Sequence, residues 1–146
     1  SFSLISDDSV WVPETFTYRY GLPMLGAICK GEKSLSEEAA SNLAYRFKKE
    51  KQDDKFFALE YGLKFEGELP EDFEIINVST LPETYEKMRA SAGVLLLVGA
   101  GMCNGKQIEH ILHSLKVQEC PVKGALLCDA DAKLLKCYYL GRKIFV

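Results

Sequence analysis

Residues 94–107 read VLLLVGAGMCNGKQ. The first five are apolar without a break, so no solvent face is marked, and a strand buried on both sides is expected. A glycine-rich turn follows, and a Gly-Lys pair then opens a helical pattern. Ile108, Ile111, Leu112 and Leu115 fall at i, i+3, i+4 and i+7, which lays one apolar stripe along a helix over 106–117. A buried strand, a tight turn and an amphipathic helix make the repeating unit of a parallel sheet covered by helices.

Working outward, the same alternation recurs. Residues 22–28 (LPMLGAI), 55–61 (KFFALEY), 73–78 (FEIINV) and 122–128 (VKGALLC) are expected strands. Ser34 and Glu37 fit a capping box that starts a helix running to about residue 49, with a basic last turn. Thr80-Leu81-Pro82-Glu83 reads as a second helix start, with Thr80 as cap, ending near Ala90. Residues 62–72 carry two glycines, a proline and four acids and read as a loop. A last helix is expected over 132–140 and an edge strand over 143–146. The expected fold is a three-layer α/β domain over residues 21–146, with a mostly parallel sheet of five or six strands and helices on both faces. Residues 1–20 form an aromatic lead-in. Its Trp11, Phe16, Tyr18 and Tyr20 stand beside Asp7, Asp8 and Glu14, and they either pack on their own domain or form a partner surface.

Composition narrows the function classes. The chain has 146 residues, 47% hydrophobic and 27% charged, as in one globular domain. A net charge of -3 offers no basic footprint for nucleic acid. No apolar run is long enough to span a bilayer, and no signal-peptide pattern is present. The first residue is Ser, so the chain is expected to be a piece of a longer protein. Five cysteines, an odd number with no C-x-x-C pair, read as reduced thiols packed as small hydrophobes.

The turn at 99–106 raises the question of a phosphate-binding loop, G-x-x-x-x-G-K-[ST]. There, backbone N–H groups hold the phosphates, the lysine reaches the terminal ones and the hydroxyl binds Mg²⁺. Aligned on Gly105 and Lys106, the first glycine becomes Ala100, flanked by Gly99 and Gly101, and the hydroxyl becomes Gln107. An amide is a poor substitute beside a hard cation. The acid required at the end of a neighbouring strand is Asn77. The turn is therefore read as a strand-to-helix connection whose glycines serve positive φ. If any residues held a nucleotide, they would be Gly99, Gly101, Gly105 and Lys106, with an anion on the N–H groups of the helix start.

RYGLPMLGAI, residues 19–28, resembles a G-L-P-V-L-G-V-I signature of bacterial chain-length determinant proteins, the polysaccharide co-polymerases. In that family it follows the second membrane helix and leads into the cytoplasmic tyrosine-kinase (BY-kinase) domain of capsule and exopolysaccharide assembly. DFEIIN (72–77) is similar to that kinase's D-Y-V-I-I-D strand, ASAGVLLLVGAG (90–101) to its A-D-G-V-L-L-V-V-R-A-G strand, and VKGALLC (122–128) to its V-x-G-V-V-L-N strand. Between Ser34 and Asp72 the kinase would carry its true G-x-G-K-[ST] loop and an I-D-A-D strand, and this sequence has neither. Asn77 replaces the strand's acid, Cys128-Asp129 replaces the base-contacting Asn, and the tyrosine-rich tail is reduced to Tyr138-Tyr139. The 99–106 turn falls after a late strand, not after the one that binds this family's phosphates.

The resemblance thus implies a shortened P-loop-NTPase-like fold without ATP machinery, cofactor or catalysis. It implies a cytoplasmic regulatory or interaction domain on the inner face of the bacterial membrane, attached through a segment outside this chain. The implied partners are other polysaccharide-assembly proteins, a cognate tyrosine kinase or a second copy. The alternative is a small nucleotide-binding ATPase or kinase using residues 100–107.

Three further groupings carry chemistry. His110 and His113 share a helix face with Glu109 and are expected to point to solvent. Asp129 and Asp131 stand at a strand end, where α/β folds place ligands. They read as a helix cap or as a cation site, the latter in a receiver-like binding domain. Cys103, at a helix start, is the thiol expected to be most reactive. No nucleophile–base pair is visible.

Overall fold

Strand β4, described below, is the axis of the molecule: every residue from Gly93 to Gly99 is buried. The computed structural model describes residues 13–99 and 105–130. Five parallel strands, β1 (Met24–Cys29), β2 (Phe56–Tyr61), β3 (Phe73–Asn77), β4 (Gly93–Gly99) and β5 (Val122–Ala130), lie in the order β1-β5-β4-β2-β3. The α/β three-layer arrangement expected from the sequence is thus present.

Alternate side chains feed two cores. Val94, Leu96 and Val98 join Phe57, Leu59, Ala125 and Leu127 on one face. That face is covered by α1 (Pro13–Tyr20), α3 (Tyr85–Arg89) and α4 (Gly105–Val117), which contribute Phe16, Met88, Ile108 and Leu115. Leu95 and Leu97 join Phe56, Ala58, Leu126 and Cys128 on the other face, under α2 (Glu37–Arg46) and Phe65 of the 62–72 connection. Burying one such aliphatic side chain stabilises the fold by roughly 1.5–3 kcal/mol, so the β4 run alone accounts for much of the cohesion between layers.

Glycine sets the spacing at one point of contact. A Cβ on Gly26 would lie 2.5 Å from the Ala39 Cβ and 3.1 Å from its Cα. The second glycine of the G-L-P-M-L-G stretch is what lets α2 rest directly on β1.

Two helix starts differ from expectation. Ser36, not Ser34, caps α2: its Oγ accepts the Ala39 N–H at 3.1 Å. The helix ends at Arg46, where Phe47 turns inward to pack edge-on against Phe56, rather than continuing to residue 49. Thr80 does not start a helix either. Residues Val78–Thr80 form a single 3-10 turn, and the Thr80 hydroxyl donates to the Asn77 carbonyl at 2.7 Å. It is therefore committed backward, and α3 begins only at Tyr85.

The lead-in aromatics divide between the two readings. Phe16 is fully buried and tilts against Tyr20 at 4.8 Å between centroids, whereas Tyr18 is 94% exposed. Gly21, with φ +67, closes α1 by donating its N–H to the Thr17 carbonyl. Trp11, Gly101, Cys103, Asp131, Cys137, Tyr138-Tyr139, the 132–140 helix and the 143–146 strand lie outside the described residues. None of the described helices is long and apolar enough to cross a membrane.

Candidate functional site at the carboxyl ends of the strands

In an open parallel sheet, ligands sit where neighbouring strands send their connections to opposite faces. Strand β2 exits into residues 62–72, on the α2 face, while its neighbour β4 exits toward α4 on the other. The switch point therefore lies between Glu60-Tyr61 at the end of β2 and Gly99 at the end of β4.

Glu60 is the buried acid of this region, 7% exposed. One of its carboxylate oxygens accepts the Phe65 N–H and the other accepts Asn77 Nδ2 at 3.1 Å. Asn77 is engaged at every polar side-chain atom, since its Oδ1 accepts the Ser79 N–H at 2.9 Å. The Glu60–Phe65 bond folds the connection back over β2, and Phe65 fills the space above the sheet. Gly67 permits the return: a Cβ there would meet the Phe65 ring at 2.6 Å and the Lys33 carbonyl at 2.9 Å. The next N–H, of Glu68, donates to that same carbonyl.

On the opposite side, the Tyr61 hydroxyl donates to Gln107 Oε1 at 3.0 Å. This contact joins the end of β2 to the first turn of α4, across the switch point. Gln107 holds the position a phosphate loop gives to its metal-binding hydroxyl. The polar groups at the crevice are thus directed at one another.

The candidate nucleotide residues that are described, Gly99, Gly105 and Lys106, have separate surroundings. Gly99 continues β4 and pairs with Cys128. Gly105 is buried, and a Cβ on it would meet the Tyr20 hydroxyl at 2.7 Å and the Arg19 guanidinium at 3.0 Å. The ends of two α1 side chains thus rest on Gly105; the described glycines with positive φ are Gly21, Gly31 and Gly62. Lys106 is exposed. His110 and His113 are exposed on α4. Among the described residues, no three His, Cys, Asp or Glu side chains converge as metal ligands do.

A cleft of about 270 Å³ lies beside the switch point, on the α2 face. Its floor is Ile28, Cys128 and Asp129, and its walls are the Gly31–Lys33 turn and residues 63–67. Asp129 adopts φ 54, the left-handed region, an uncommon conformation for a residue with a Cβ. Two lysines, Lys33 and Lys64, and three acids, Glu32, Glu66 and Asp129, line it, which leaves a single excess negative charge. The Cys128 thiol is pushed up to about 12 by burial, with the negative charges of Asp129 and Glu60 adding to it, which disfavours the thiolate that a nucleophile needs.

Glu60 is the residue that sequence reasoning passed over. The signal was a lone charge at the carboxyl end of an otherwise apolar strand, FFALEY. Comparison with protein-family models, curated proteins and solved structures finds no match to this chain.

Proposed function

We propose that this chain is a non-catalytic regulatory or interaction domain of a bacterial surface-polysaccharide assembly protein. In this reading it derives from a tyrosine-kinase-like fold without ATP machinery, and it works on the inner face of the cell membrane through a segment outside this chain. The motifs similar to the chain-length determinant family support the context, since they supply β1, β3, β4 and β5. One observation carries the inactivity: Glu60 ties the 62–72 connection and Asn77 together at the end of β2. In this reading a triphosphate brought to the end of β2 would meet the Glu60 carboxylate and the Phe65 ring, and a carboxylate repels an anion.

Calorimetry with Mg-ATP tests the reading. The expected result is no binding tighter than about 1 mM, a free energy of roughly -4 kcal/mol, and no autophosphorylation. Tighter binding, or phosphoryl transfer that disappears in Lys106→Ala, would replace this assignment with a nucleotide-dependent enzyme using residues 100–107.

A further inference from the structure

The two edges of the sheet are treated differently. At the β1 edge, α1 lies alongside and the Thr17 hydroxyl accepts the outward Met24 N–H at 2.9 Å. At the β3 edge nothing comparable is present among the described residues. The Phe56 N–H donates to the Asp72 carbonyl, and Phe56, Ala58 and Glu60 pair with Phe73, Ile75 and Asn77. In a parallel ladder this register turns the backbone groups of Phe73, Ile75 and Asn77 away from β2. Two of those six groups are already used: the Phe73 N–H donates to the Pro70 carbonyl, and the Asn77 carbonyl accepts the Thr80 hydroxyl. Among the described residues no partner meets the Phe73 carbonyl, the two groups of Ile75 or the Asn77 N–H. Ile75 itself is 42% exposed.

These four groups are self-complementary about Ile75. We infer that β3 is a homodimer interface, in which two copies join antiparallel across a two-fold axis through Ile75 and make one continuous ten-stranded sheet. Ile75 then forms a hydrogen-bonded pair with its own copy, giving two bonds. The Asn77 N–H of each chain donates to the Phe73 carbonyl of the other, giving two more. All four open groups of each chain are satisfied, and the two spent groups face each other: the Phe73 N–H, bonded to Pro70, stands opposite the other chain's Asn77 carbonyl, bonded to Thr80, so neither leaves a partner unmet. Side chains agree with the pairing. Ile75 meets Ile75, Phe73 meets Asn77, and Glu74 meets Ile76, so no like charges stand opposite one another. A second copy satisfies this symmetry by construction, whereas an unrelated extended peptide would match it only by its own sequence. The interface is independent of the polysaccharide-assembly context.

The test is sedimentation of the full chain from low micromolar to near-millimolar concentration. Wild type is expected to pass from monomer to dimer. Ile75→Pro removes an N–H that lies outside the ladder, a change edge strands tolerate. Losing that pair of bonds should weaken dimerisation roughly 10- to 100-fold. Ile75→Lys, at an exposed side chain, places two like charges face to face on the axis and should do the same with an unchanged circular dichroism spectrum. It serves alone if the proline variant does not fold. A wild type that stays monomeric throughout, including one that instead captures a foreign strand, overturns the inference. So does a dimer that the lysine substitution leaves intact.

Discussion

Asn77→Asp restores the acid that a nucleotide site would need, yet it should damage the fold. In the wild type, Asn77 Nδ2 donates to the Glu60 carboxylate at 3.1 Å. The substitution removes that donor and sets a second carboxylate in its place. Two full charges about 3 Å apart repel by roughly 5 kcal/mol at an effective dielectric near 20. The pair can escape by keeping one proton. At pH 7 that costs about 4 kcal/mol, from an ordinary carboxyl value near 4 and about 1.4 kcal/mol per pH unit. The retained proton re-forms the hydrogen bond, and water at the half-buried Asn77 side eases the repulsion. The variant should therefore be less stable by about 2–4 kcal/mol at pH 7.

The pH dependence follows from linkage. In the folded variant the shared proton is held above the unfolded carboxyl value. A raised value contributes no penalty below the unfolded value; the deficit opens as pH rises above the unfolded value and is complete once pH passes the folded one. Urea unfolding followed by circular dichroism, run on both proteins at pH 7 and near pH 4, reads the difference directly. The gap should nearly close at the acid end. Asn77→Ala is the control: it loses the bond without adding charge, so its deficit of about 1–3 kcal/mol should not depend on the protonation of a second acid. An Asp variant as stable as wild type at pH 7, or one whose deficit is the same at both pH values, would refute the coupling of Glu60 to Asn77.

Gly26→Ala should destabilise by about 1–3 kcal/mol in the same assay, because the new methyl overlaps Ala39; Ala39→Gly should recover part of that loss, less the helix cost of a glycine. Ser36→Ala should cost about 1 kcal/mol by removing the α2 cap, and Ser34→Ala should change stability by much less. Native protein treated with iodoacetamide at pH 8 should leave Cys128 unmodified, since its thiol is buried and its pKa is pushed up to about 12; peptide mass spectrometry should find it alkylated only after unfolding.

The sheet was legible because strands buried on both faces have a signature no other element shares. Residues 94–98 carry it fully, and α4 carries the complementary one, a single stripe from Ile108 to Leu115. Helix starts were less legible. The box formed by Ser34 and Glu37 is the better local match, but the contact of Ala39 with Gly26 fixes where α2 can lie, and Ser36 is the serine that then faces the open N–H. Gly105 reads as a turn glycine because it ends a glycine-rich stretch; in the fold it lies under the ends of the Arg19 and Tyr20 side chains of α1, a contact no local pattern can register.

The phosphate-loop likeness of residues 99–106 shows why a motif must be placed before it is interpreted. Any buried strand that turns tightly into a helix will gather glycines and expose a residue such as Lys106. What separates a nucleotide cradle from a plain connection is the strand it follows and the groups its neighbours aim at it. In the sequence, the missing loop between Ser34 and Asp72 and the amide at position 77 are two unrelated departures. In the fold they are one arrangement, because a single carboxylate, Glu60, accepts both the N–H that folds the 62–72 connection back and the amide of Asn77. Changing either part alone leaves Glu60 with an unpaired lone pair or a facing charge. Asn77→Asp alone would therefore make no triphosphate site here: Glu60, the path of residues 62–72 and position 77 would have to change together.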